Sequence, residues 1–248
     1  MSEDSRSDLS GWFFLRILWI TTMTEIKGFL ETSFVDWPGK LCSVLFFSHC
    51  NFRCPYCHNH PLVLDPDHYP SIPFEQILGR LASLKGWIDG VCVTGGEPTL
   101  HSDLPRLIQQ VRRRGFSVKL DTNGSNPQML EDLILRKQVD FVSMDVKAPL
   151  DPLSYRRSIG LPVDLAAILR SIDILKRGNV EHQFRITAVP GIHREEDIKK
   201  IGDQLRAGQR LVLQNFNPES PLDPSLRSVL PYDLEILKKM EKEVQEMI

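Results

Sequence analysis

Leu41-Cys42-Ser43-Val44-Leu45-Phe46-Phe47 is a continuous apolar run, and Cys50-Asn51-Phe52-Arg53-Cys54-Pro55-Tyr56-Cys57 follows directly after it. A short run with no polar face reads as a strand buried on both sides, as in a parallel sheet. The cysteine triplet therefore sits in the loop at that strand's C-terminal end. Thiolates are soft ligands, and closely spaced ones suit zinc or an iron–sulfur cluster. Structural zinc wants four protein ligands, and a fully ligated [4Fe–4S] cluster wants four thiolates. A triplet leaves one position open, and open positions are where metal chemistry happens. On spacing alone, zinc with His49, His58 or His60 as a fourth ligand remains an alternative.

The alternation of strand and helix continues outward from this stretch. Upstream, Glu25 to Phe34 reads as a short strand pair or extended lead-in, and Trp37-Pro38-Gly39 as a turn. Downstream, Pro73 to Lys85 carries Ile77, Leu78, Leu81 and Leu84 at helical spacing. Val91-Cys92-Val93-Thr94 is a short buried strand. Ser102 or Asp103 caps a helix with Leu104, Leu107, Ile108 and Val111 on one face and Gly115 as its stop. Phe116 to Leu120 is the next strand. Pro127 opens a helix bearing Leu130, Leu133 and Ile134, and Asp140 to Asp145 is a strand. After a looser stretch around Ser154 to Gly160, Asp164 opens a helix through Ile168, Ile172 and Leu175 that Gly178 closes. Gln183 to Val189 (strand), Arg194 to Ala207 (helix), Arg210 to Asn215 (strand) and Pro231 to Ile248 (helix) complete the chain. Six strand-plus-helix units without an internal repeat predict an α/β fold with a parallel sheet and helices outside. Periodicity does not separate an open doubly wound sheet from a partial barrel. In either architecture the productive face lies at the C-terminal ends of the strands.

Composition narrows the classes. A chain of 248 residues with a 42% hydrophobic fraction fits one sizeable α/β domain or two small ones. A net charge of −2 excludes a broad basic field, so nucleic acid is not expected as a partner. Five cysteines, an odd count, argue against a disulfide framework and for a reducing compartment, most simply the cytoplasm. Gly11 to Ile20 is apolar but about ten residues long and interrupted by Arg16, whereas a bilayer span needs ~20. Residues 1–22 are expected to be an N-terminal extension, and 23–248 a single domain.

Polar motifs fall wherever a strand runs out. Thr94-Gly95-Gly96-Glu97-Pro98 follows the second strand, Asp121-Thr122-Asn123-Gly124 the third, and Met144-Asp145-Val146-Lys147 the fourth. Arg185 lies in the fifth strand, and Gln214-Asn215 ends the sixth. Groups far apart in sequence thus converge on one mouth. Gly95 and Gly96 permit close approach of the backbone to a ligand. Glu97 can accept hydrogen bonds from an ammonium, and Lys147 is a point cation suited to a carboxylate. Asp121 and Asp145 read either as an acid/base pair or as partners of Lys147 and Arg185. Arg112-Arg113-Arg114 reads as a solvated helix end that could also meet an acidic electron donor. Cys42 and Cys92 lie within apolar strands and read as small buried hydrophobes.

These motifs, in this order from about Met23 to about Pro218, resemble those of the radical S-adenosylmethionine (radical SAM) enzymes. Among them they are most similar to the glycyl-radical-enzyme activases, in particular the activating protein of anaerobic ribonucleoside-triphosphate reductase. The resemblance implies a partial (β/α)6 TIM-like barrel. It also implies a [4Fe–4S] cluster on Cys50, Cys54 and Cys57, with SAM on the open iron through its amine and carboxylate. Reductive cleavage of SAM then yields a 5′-deoxyadenosyl radical that abstracts hydrogen from a backbone glycine of the partner enzyme. The resemblance sets Gly95, Gly96 and Glu97 at the SAM amino group and Lys147 at its carboxylate. Tyr56 borders the adenine through its backbone, Arg185 takes the cofactor carboxylate or a structural ion pair, and Asn123 is a polar wall or turn. Asp121 and Asp145 match positions that help hold a monovalent cation beside SAM. A flavodoxin or ferredoxin is implied as electron donor. Near Asn217 related proteins place a larger basic or imidazole group, so no role carries over there. Two readings stand beside this one: a radical SAM enzyme acting on a small molecule, like the compact deazapurine-forming synthases, and a non-catalytic metal-binding module.

Overall fold

The structure, a computed structural model, describes residues 26–205 and 210–247. The expected N-terminal extension, Ala207 and Ile248 lie outside the described residues. One sheet runs in strand order β1 (Ile26–Ser33), β2 (Cys42–Phe47), β3 (Gly90–Gly95), β4 (Ser117–Thr122), β5 (Phe141–Asp145), β6 (Glu181–Ala188) and β7 (Leu211–Asn215). β2 to β7 are parallel, and β1 joins β2 antiparallel as one strand of a hairpin. The six parallel strands are those expected from the apolar runs. β1 and β7 do not pair, so the sheet curls without closing.

The helices are α1 (His60–Leu64), α2 (Phe74–Ser83), α3 (Leu104–Arg113), α4 (Pro127–Leu135), α5 (Pro152–Ile159), α6 (Leu165–Lys176), α7 (Glu195–Leu205) and α8 (Leu234–Met247). Three depart from expectation. The stretch around Ser154 to Gly160, expected to be loose, is α5: Asp151 accepts from the Ser154 N–H at 2.9 Å, Pro152 fills the first turn, and Gly160 adopts the left-handed conformation that ends it. α1 lies just past the cysteines and has too few residues to show periodicity. α8 begins at Leu234 rather than at Pro231.

Period-two alternation gives each parallel strand two jobs. Val91 and Val93, Val118 and Leu120, Val142 and Met144, and Phe184 and Ile186 pack among the apolar faces of the helices. The alternate residues face away from that layer. At the foot of the sheet they are apolar, with Trp37, Cys42, Val44, Cys92 and Phe141 in one cluster. Gly90 is required there, since a Cβ would stand 2.7 Å from the Trp37 ring. Higher up, the same face turns polar through Lys119, Asp121, Asp145 and Arg185. The β7 edge is covered by α8, whose Gln245 and Glu241 accept the N–H groups of Leu211 and Leu213. Among the described residues no helix is long and apolar enough to cross a membrane.

Candidate active site

The three loop cysteines, Tyr56, Gly95, Gly96, Glu97, Asp121, Asn123, Asp145, Lys147 and Arg185 line one cavity of about 190 Å³, whereas Gln214 and Asn215 at the end of β7 do not, Asn215 bonding to the Tyr232 backbone instead. Parallel strands deliver their C-terminal ends to one side, which is why residues from four loops meet.

The cysteine loop is pinned from three directions. The Arg53 N–H donates to the Ile159 carbonyl at 2.9 Å, at the end of α5. Asn51 donates to Ser125 Oγ at 2.9 Å and accepts from Asn123 Nδ2 at 3.0 Å. The Asp223 N–H, from the segment after β7, donates to the Pro55 carbonyl at 2.8 Å. Arg53 Nη1 also donates to the Cys50 and Phe52 carbonyls, at 2.6 and 2.8 Å, holding the turn from within. Asn123 Nδ2 comes within 3.8 Å of Cys50 Sγ, so Asn123 is a loop clamp that reaches a thiol.

Gly95 and Gly96 answer first to the protein. A Cβ on Gly96 would stand 1.8 Å from the His49 carbonyl, and Gly95, at φ +118°, would meet the Phe47 backbone. The close approach that demands glycine is between the β3 and β2 loops, sealed by Glu97 N–H to His49 O at 2.7 Å. The Glu97 side chain, 1% exposed, is similarly engaged. Its Oε1 accepts from the Thr99 N–H and hydroxyl at 3.1 and 2.6 Å and from the Thr122 hydroxyl at 2.7 Å; Oε2 accepts from the Asn123 N–H at 2.6 Å. Glu97 therefore ties the β3 loop to the β4 loop, and Oε2 keeps capacity toward the cavity. Burial raises its carboxyl pKa against the pull of those hydrogen bonds.

Tyr56 is buried with its hydroxyl 3.1 Å from Ser158 Oγ. Ser158 donates to the Lys147 carbonyl at 2.5 Å, and His193 Nε2 lies 2.8 Å from the same carbonyl. The Val189 N–H donates to His193 Nδ1 at 3.2 Å, which leaves the proton on Nε2 to donate to Lys147. Burial lowers the His193 pKa, consistent with a neutral ring. Ser158 and His193 thus set the backbone of Lys147, and sequence reading missed both. Ser158 was hidden by the unrecognised helix, and His193 lies beyond the β6 motif with no local signature.

The charges form a ladder across β4, β6 and β5. Lys119 pairs with Asp121; Asp121 Oδ2 lies 3.3 Å from Arg185 Nη1; Arg185 Nε donates to Asp145 Oδ1 at 2.6 Å; Lys147 Nζ donates to Asp145 Oδ2 at 2.8 Å. Burial opposes ionisation of Asp145, but Arg185 and Lys147 outweigh it and hold the carboxyl well below the usual range. The acid/base reading of the two carboxylates finds no support in this pairing, because both are committed to cations. Lys119 is a buried lysine that the apolar reading of its strand passed over.

The three loop thiols are pushed up by burial, Cys50 to about 12 and Cys54 to about 11. Neutral buried thiols lose their protons only to a strong electrophile such as iron. Among the described residues no three His, Cys, Asp or Glu side chains converge to hold a single metal ion. The thiols instead border a cavity with room for more than one ion. A soft donor set spread along a cavity wall fits a cluster better than mononuclear zinc. Lys147 and Glu97 are charged groups on the wall of the same cavity.

The arginine run sits elsewhere. It ends α3 beside the start of β4, at the other end of the strands, where Arg112 Nη1 pairs with Asp140 at 2.5 Å. Asn217 is exposed and caps its own turn, its Oδ1 accepting from the Glu219 N–H at 3.0 Å.

Comparison with known proteins agrees with this geometry. Residues 44–203 match the radical SAM superfamily. A protein of Methanocaldococcus jannaschii named "Putative glycyl-radical enzyme activating enzyme" is 33% identical over 82% of this chain and 85% of its own length. The pyruvate formate-lyase-activating enzyme of Clostridium pasteurianum is 26% identical over 91% of this chain and 99% of its own. The structure of TYW1 with a lysine-pyruvate adduct bound superposes with a TM-score of 0.58 at 19% identity, covering 83% of this chain and 73% of that one, a likeness of fold. With the family matched across the strand ends that build the cavity, the chain is an enzyme of the radical SAM superfamily.

Proposed function

We propose that the protein activates a glycyl-radical enzyme, and that its partner is the anaerobic ribonucleoside-triphosphate reductase. The observation that carries the activase reading is the likeness, over most of both chains, to relatives named for that activity. The reductase as partner rests on the motif resemblance. When bound, the cluster and SAM supply one-electron cleavage of a carbon–sulfur bond and a carbon radical that removes hydrogen.

The chain's own residues do the positioning. Cys50, Cys54 and Cys57 would hold the cluster, and the clamps at Asn51, Arg53 and Pro55 keep that loop from opening. Lys147, set by Ser158 and His193, would meet the SAM carboxylate, while Glu97 Oε2 and the Gly95–Gly96 backbone would meet its amine. β1 and β7 do not pair with each other, so the sheet is not closed into a full barrel, which suits a protein loop as substrate. Work of this kind belongs in a reducing cytoplasm, with a flavodoxin or ferredoxin as electron source.

The test is anaerobic reconstitution with iron and sulfide, then incubation with SAM, a reductant and the reductase. The expected result is 5′-deoxyadenosine together with a glycyl-radical signal in electron paramagnetic resonance. SAM cleavage without that signal, from any glycyl-radical enzyme offered, would sink the activase reading in favour of a small-molecule substrate. Retention of zinc with no cleavage would sink both.

A further inference from the structure

The family resemblance makes Asp121 and Asp145 holders of a monovalent cation beside SAM. The side chains around them do not fit that role. Asp121 Oδ1 is paired with Lys119 and Oδ2 faces Arg185 Nη1 at 3.3 Å. Asp145 Oδ1 accepts from Arg185 Nε at 2.6 Å and Oδ2 from Lys147 Nζ at 2.8 Å. Each oxygen of the two carboxylates already has a cationic partner from the chain. Lys119, Asp121, Arg185, Asp145 and Lys147 alternate in sign, with three positive groups against two negative ones.

The ladder is withdrawn from water, Lys119 being 1% exposed and the Arg185 side chain 16%. Charge–charge energies grow as the local dielectric falls. A further cation entering here would meet an excess positive charge, with a chain cation already beside each oxygen of Asp121 and Asp145. An anion would meet the opposite, a surplus of one positive charge to neutralise. Arginine suits a bridge of this kind because its guanidinium is always charged and its donors are fixed in one plane.

We propose that the Arg185 guanidinium takes the place of the monovalent cation, as a permanent internal counter-ion that spans Asp121 and Asp145. The ladder's surplus charge is then matched by the carboxylate of the bound ligand. SAM binding and cleavage are accordingly indifferent to the alkali cation supplied. Removing the guanidinium leaves a gap between two carboxylates, which is the arrangement that recruits a small cation. The inference rests on SAM as the ligand of this cavity and not on the identity of the partner enzyme.

Thermal melts and sodium-23 linewidths of the apoprotein test it, in choline chloride against sodium or potassium chloride at constant ionic strength. Wild type is expected to show no saturable response to either ion, and Arg185→Gln a saturable rise in melting temperature with line broadening. Arg185→Lys keeps the charge but not the planar fork, and should show a smaller cation response than Arg185→Gln. In the reconstituted enzyme, SAM cleavage should vary by less than about twofold among cations for wild type and by about tenfold or more for Arg185→Gln. Saturable binding or stimulation by sodium or potassium in wild type overturns the proposal, which wild type alone can decide. A folded Arg185→Gln protein that gains no cation response overturns it too. Failure of wild type to cleave SAM under every condition counts against the proposed function and leaves the melts readable.

Discussion

The Arg53 N–H donates to the Ile159 carbonyl at 2.9 Å, so the cysteine loop hangs from the last turn of α5. Gly160 makes that contact possible. It sits at φ +73°, and a Cβ there would stand 2.6 Å from the Arg53 carbonyl. Gly160→Val should destabilise the protein by at least ~1–2 kcal/mol from the left-handed backbone alone, with the clash added. It should also lower iron retention after reconstitution. Denaturant melts and iron assay read both; full iron content in the folded variant would contradict the anchoring role.

The five cysteines should divide cleanly. Alanine at Cys50, Cys54 or Cys57 removes a ligand from a triplet that has none to spare, so iron loading falls and SAM cleavage drops to background. Cys42 lies fully buried in β2, away from the cavity lining. Cys42→Ala should keep the iron and cost about 1 kcal/mol or so, as loss of a small buried group does. Chelation of the reconstituted enzyme should abolish cleavage and leave the far-ultraviolet circular dichroism of the fold in place. Unfolding on chelation would show that the cluster, not the sheet, carries the stability.

Glu97 should matter to the fold before it matters to the ligand. Glu97→Gln keeps the shape but turns one accepting oxygen into a donor facing donors. Hydrogen bonds to a charged group contribute about 1.5–3 kcal/mol each, so the loss of stability should be of that order even without SAM. Gly96→Ala, which drives a methyl onto the His49 carbonyl, should be worse. An undiminished melting temperature in apo Glu97→Gln, with weakened SAM binding, would instead make Glu97 a pure ligand contact.

Asp145 predicts a pH dependence with a definite sign. Its folded-state pKa is depressed below the ordinary 3.8 because Arg185 and Lys147 outweigh burial. A depressed carboxyl contributes stability in full above its unfolded pKa and loses it as pH falls below that value. Asp145→Asn, which strands Lys147 and leaves Arg185 with Asp121 alone, should cost about 3–5 kcal/mol at pH 7. That gap between wild type and variant should narrow steadily below pH 4. Urea melts at pH 7 and pH 3.5 measure it; a gap that stays constant would mean that Asp145 is not held ionised by its partners.

Much of the arrangement was legible in the order of residues. Apolar runs of strand length alternating with amphipathic helices led to the six parallel strands, because burial on two faces leaves no room for polar side chains. Polar motifs at each strand end led to the cavity, because parallel strands all finish on one side. α5 escaped notice because its stability comes from Asp151, Pro152 and Gly160 rather than from a long apolar stripe. Lys119 escaped because a charge inside an apolar run is explained only by the partner that neutralises it.

The order of residues alone sets the alternation of elements, the soft three-sulfur donor set, and which loops carry charge. These follow from side-chain chemistry and periodicity, which are local. Only the tertiary structure decided what each charge and each glycine faces. Gly95 and Gly96 admit the neighbouring strand's backbone, Glu97 ties two loops, and Arg185 stands between Asp121 and Asp145. Those pairings join residues up to 64 positions apart, where Arg185 reaches Asp121. Their partners are set by the register of strands and the cost of leaving a buried charge alone.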